Sequence, residues 1–209
     1  MRPFLFAFTF LCFLSTKAQT IVNTYDLVTP IDSVWSATTE LQGTFAAGNG
    51  VFTALNSGLG LGRTINSKTQ AWFLGGYNYA SESSSAIYST GFTNFRLHYT
   101  AAKNLQVQFF YQSQFNSALA LKSRTLFGAN TANRFKTEKY LYNFTAGAFK
   151  EDEVYSDESF KNLFRGNVAA SITTEVSDVD VHLTLYYQPA MSNLNDYRML
   201  GELSLQFPI

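Results

Sequence analysis

Two histidines, His98 and His182, are the side chains of this 209-residue chain best suited to act as general bases near neutral pH. A hydrolase would pair one of them with a serine and a carboxylate. Asp180 stands two positions before His182, and Ser171 lies in the preceding segment, so the spacing offers one trio. Polar residues are expected along that face whatever the protein does, and a group deep inside such a fold would not reach a lipid outside it. Catalysis is therefore not expected. Two histidines also make a poor metal set. The acidic run Glu151-Asp152-Glu153, with Asp157 and Glu158, lacks the spacing of a calcium loop and reads as a solvated connection. Gly58, Gly60 and Gly62 have the look of a phosphate-cradling loop, but no helical pattern or βαβ context follows, and glycines that let strands bend or approach closely fit better. No cofactor or metal site is expected.

The elements that would carry these residues are strands. Residues 104–128 contain the clearest alternation. Leu105, Val107, Phe109, Tyr111 and Phe115 point one way, and Gln106, Gln108, Gln112, Gln114 and Asn116 point the other. Period two separates the faces of a sheet, which a helix cannot do. After Asn116–Ser117 the pattern resumes, with Leu121, Thr125, Phe127 and Ala129 against Lys122, Arg124, Gly128 and Asn130. One face is too polar for an ordinary core and the other too aromatic for water. Such a sheet is either half exposed on a soluble protein or closed into a cylinder with lipid outside.

The N-terminus favours export. Arg2, an apolar run from Phe4 to Leu14 and a small residue at Ala18 describe a secretory signal peptide over 1–18, too short to span a bilayer at about 20 residues. Cys12, the only cysteine, falls inside it, so residues 19–209 can form neither a disulfide nor a thiol nucleophile. Without Arg2 and Lys17, 13 basic residues face 15 acidic ones, and no basic stripe suggests nucleic acid. With 20 Phe, 12 Tyr and 2 Trp against 14% charged residues, the composition suits an all-β chain with an aromatic outer surface.

Residues 19–33 read as a lead-in. Alternating segments then begin at 34 and follow at 51–62, 70–80, 86–99, the two halves of 104–128, 139–150, 163–175, 179–188 and 196–207, with 150–162 as the longest and most acidic connection. Ten strands of mostly 10–14 residues exceed the 5–6 usual in globular sheets and suit a tilted bilayer span. The expectation is an antiparallel up-and-down transmembrane β-barrel over 34–209, closed because lipid tolerates no unpaired edge. Its partners would be outer-membrane lipids and the outer-membrane assembly machinery. Short inner turns and a longer outer loop at 150–162 would fit that setting.

The inward parity would then hold Arg96, His98, Lys122, Arg124, Glu151, Arg165, Asp180, His182, Asp196, Arg198 and Glu202, with Gln112 and Gln188. Ten strands enclose little space, so these charges should pair and fill the lumen. A narrow small-solute channel is the alternative, and a lipid-modifying enzyme a more distant one.

The segments FYQSQFNSALALKSRTLFGANTANRF at 110–135, GAFKEDEVY at 147–155 and LYYQPAMSNLNDYRMLGELSLQFPI at 185–209 resemble the outer-membrane barrels called domain of unknown function 481, often labelled salt-induced outer membrane proteins. Tyr186-Tyr187-Gln188-Pro189 followed by Asp196-Tyr197-Arg198 is the most specific part, while 34–100 match in style alone. The resemblance implies a barrel in the bacterial outer membrane, no established activity, and recurrent polar positions at Gln112, Arg124, Glu151, Gln188, Asp196 and Arg198. The chain departs from the usual aromatic ending at Phe207-Pro208-Ile209, where Phe207 could serve two residues early.

Overall fold

A computed structural model describes residues 34–207 apart from Ser84, Ser177 and Asp178. The segments read as signal peptide and lead-in, and the last two residues, lie outside the described residues. Ten strands run in order: β1 (Trp35–Ala47), β2 (Val51–Asn66), β3 (Thr69–Glu82), β4 (Ser85–Ala102), β5 (Leu105–Asn116), β6 (Leu121–Lys136), β7 (Tyr140–Tyr155), β8 (Phe160–Val176), β9 (Val179–Ala190) and β10 (Asn193–Gln206). Each pairs antiparallel with its sequence neighbour in a single sheet, and the one helical element among the described residues is a 3-10 turn at Ser117–Leu119.

The sheet is curled. Arg198 on β10 bonds Glu151 and Glu153 on β7, with β8 and β9 lying between in the sheet. Three strand spacings amount to about 14 Å on a flat sheet, more than one arginine can bridge, so the strands must bend round to face one another. Residues of β3 through β10 surround a common cavity of about 690 Å³. The expected closure is not present among the described residues: the strand order begins at β1 and ends at β10, and no pairing joins those two. The inward-parity side chains Glu40, Gln42 and Thr44 of β1 are accordingly exposed.

Two strand ends correct the sequence reading. β7 continues through Glu151-Asp152-Glu153 to Tyr155 and β8 begins at Phe160, so the predicted connection of 150–162 shrinks to Ser156–Ser159. The described connections are therefore short at both ends of the sheet, without the long outer loop. At the start of β6, register shifts against both neighbours turn Leu121 inward, 2% exposed, and leave Lys122 exposed, the reverse of their expected faces. A bulge of this kind inverts the alternation locally.

Away from the strand ends the two-residue period holds. Leu41, Phe45, Phe95, Phe109, Phe127, Phe144, Phe164, Leu185, Met199 and Leu203 are exposed, while Asn94, Gln112, Gln114, Arg124, Arg165, Asn167 and Arg198 are buried. Gly58, Gly60 and Gly62 lie within β2, where Gly60 and Gly62 oppose the buried Leu74 and Trp72 of β3. A glycine in a strand adds no side chain beside its cross-strand neighbour. Gly147 on β7 has a stricter role, since a Cβ there would run into the Ala129 carbonyl and Asn130 of β6.

Candidate functional site

Three arginines and two glutamates form the most buried part of the interior. Arg124 projects from β6, Glu151 and Glu153 from β7, Arg165 from β8 and Arg198 from β10, and none exceeds 4% exposure. They converge because each sits at an inward position of its strand. Alternation sends Glu151 and Glu153 inward together and Asp152 outward, where it meets Lys150 at 3.3 Å and accepts from Asn162 at 2.5 Å.

Glu151 is gripped from three sides. Arg165 Nε donates to its Oε2 at 2.6 Å, Arg198 Nη1 to its Oε1, and Arg124 Nε stands 3.2 Å from the same oxygen. Glu153 Oε1 accepts from Arg124 Nε and Nη2, each at 2.6 Å, and from Arg198 Nη2 at 2.7 Å, while Tyr155 donates to Oε2 at 2.9 Å. Arg165 extends the set to β10 through Nη2, 3.0 Å from Asp196 Oδ1. With Asp196 the formal charges cancel. Burying ions this deeply is tolerable only when each is matched and hydrogen-bonded on several sides, as here.

Amides continue the network along the lumen. Asn94 donates to Gln112 at 2.8 Å and Gln112 to Gln114 at 2.5 Å, and Arg96 Nε donates to Asn94 Oδ1 at 2.9 Å. On the facing wall, Gln188 donates to Asn167 and Asn167 to Asn130, both at 3.1 Å.

His182 lies in a different setting from the trio the spacing offered. Its two ring nitrogens face the hydroxyls of Thr173 and Thr184, each at 2.8 Å, and Asp180 is exposed beyond it. Glu202 is half-buried opposite Thr184 in the β9–β10 register, away from the arginine cluster. Of the predicted lumen residues, Arg124, Glu151, Arg165, Asp196 and Arg198 are thus brought together. Gln112 and Gln188 belong to the amide walls, and His182 and Glu202 stand apart.

Glu153 and Tyr155 were missed because the acidic run looked like a loop. The available signal was parity, which puts Glu153 on the same face as Glu151 and Phe149. The apolar inward residues Trp72, Leu74 and Phe149 were also not foreseen. In the connection after β7, hydrogen bonds from Ser159 hold the Asp157 carboxyl below its ordinary value.

The cluster occupies one end of the lumen. Arg124, Glu153 and Tyr155 lie near the β5–β6 and β7–β8 connections, opposite the end where β1 begins and β10 finishes. The cavity extends from there to the β4–β5 turn at Lys103–Asn104. Such an arrangement can brace a curled sheet and stop its interior. No family model and no curated protein matches this chain.

Proposed function

We propose that this chain is an integral outer-membrane β-barrel of the Gram-negative envelope, structural or stress-related, whose lumen is stopped by the arginine–glutamate cluster. One observation carries the reading: the distribution of residues is inside out. The buried set is dominated by arginine, glutamate and amides, and the exposed set by large aromatics and aliphatics on nearly every strand. In water this arrangement would leave a broad apolar surface uncovered, whereas a bilayer covers it. The signal-like N-terminus and strands of 12–18 residues support the same location. Membership of the domain of unknown function 481 barrels is part of this proposal.

In lipid an open seam would expose unpaired backbone groups. The proposal therefore includes closure of β1 onto β10 in the membrane. The two are antiparallel by topology, similar in length at 13 and 14 residues, and share an outward parity, with Leu41 and Phe45 on one and Met199 and Leu203 on the other. Cysteine pairs introduced across that seam test closure without interference, since Cys12 is the only native cysteine. Cross-linking of the membrane-extracted protein within one chain is expected; cross-links formed only between chains would contradict closure.

Recording in planar bilayers separates the stopped barrel from a narrow channel. Silence is expected from the wild-type protein, and discrete conductance steps would make the interior a pore.

A further inference from the structure

Beyond the stopped barrel, we propose that the lumenal cavity is a blind cup that binds a small organic anion, taken up at the end where β1 begins and β10 finishes. The cavity of about 690 Å³ falls within the range of small-molecule sites. It reaches the exposed turn at Lys103–Asn104, whereas its other end is bounded by the buried side chains of Gln114, Arg124 and Arg198. A solute can therefore enter from one side and not pass.

The charge of the lining selects the occupant. Arg96, Lys103, Arg124, Arg134 and Arg198 border the cavity, and among the described residues no aspartate or glutamate does. Glu151 and Glu153 balance Arg124 and Arg198 from behind the lining. Glu175 and Asp180, at the same end of the sheet as the mouth, are exposed and also stand outside the lining. Cations gathered in a concave site of low dielectric focus a positive potential on its contents.

A second feature of the wall favours an acceptor. Trp72 and His98 lie on β3 and β4 with ring centroids 4.6 Å apart, and Trp72 is the cross-strand neighbour of Arg96. Trp72 Nε1 and His98 Nε2 are buried without a hydrogen-bond partner. Indole N–H can only donate, so a shift of the ring that turned Nε1 into the cavity would suit an oxygen there and not a cation. The shared chemistry is a carboxylate or phosphate on a small body. A free solute fits better than a lipid headgroup, because with β1 closed onto β10, as proposed above, the mouth opens at the end of the sheet rather than through its wall.

Tryptophan fluorescence tests the cup. Trp35 is 60% exposed at the start of β1, so Trp35→Phe leaves Trp72 as the sole reporter within the cavity wall. The full chain, folded in detergent or buffer as it requires, is titrated with citrate, benzoate and glucose 6-phosphate, and with neutral benzamide and glucose. A saturable change is expected with at least one anion and with neither neutral compound. Lys103→Gln, on an exposed turn, and Arg96→Gln should each weaken it, the latter about tenfold. If Arg96→Gln fails to fold, Lys103→Gln alone decides. No saturable response to any anion, an equal response to the neutral compounds, or undiminished binding in the folded variants would overturn the proposal. Because the titration does not require membrane insertion, its failure is distinguishable from failure of the barrel reading.

Discussion

Glu151 and Asp152 are sequence neighbours with opposite fates, and the difference is physical. Glu151 has no exposed surface and three arginine partners, whereas Asp152 holds a half-exposed pair with Lys150. Removing one member of a buried ionic set leaves its partners uncompensated, while an exposed pair contributes little. Glu151→Gln is therefore expected to lower unfolding stability by about 3–5 kcal/mol and Asp152→Asn by no more than about 1 kcal/mol, read as urea midpoints of the refolded protein. Equal effects would mean that the cluster does not brace the fold. Much of this set was legible in the sequence: Arg124, Arg165 and Arg198 take their inward positions by alternation alone. Glu153 was not, because consecutive acidic residues have the composition of a solvated turn, and the cue that they continue β7 is the unbroken alternation of Phe149, Glu151 and Glu153.

Ten strands could be read from period two and turn residues, since each strand carries its own apolar face and needs no information from its partners. Bulges escaped that reading. The inversion of Leu121 and Lys122 arises from register shifts with β5 and β7, which depend on pairing rather than on local pattern. Two predictions belong to the elements. Phe127, near the middle of β6 and 64% exposed, should face lipid. Phe127→Arg is expected to cost about 2–4 kcal/mol when folding into vesicles, the range for a cation at mid-bilayer depth. A change near zero would place that face in water. Gly147 permits close approach of β6 and β7, so Gly147→Ala should cost about 1–3 kcal/mol through overpacking, measured by the same unfolding transition. An unchanged midpoint would show that the ladder yields to the added methyl.

At the scale of the whole molecule, the sheet inverts the usual relation of core and surface. Polar groups meet inside because curvature brings β10 round to β7, a contact that no local reading could supply. Exposed aromatics cover the outside of the sheet, which a surrounding bilayer would explain. The open order from β1 to β10 is where the sequence-based expectation of closure and the structure differ, and a lipid environment would supply the drive for sealing that seam. The most direct test is gel mobility of the membrane-extracted protein with and without heating. A compact unheated band that shifts to the unfolded position after boiling is the expected result, whereas a protein recovered without detergent that runs identically in both lanes would contradict the membrane barrel.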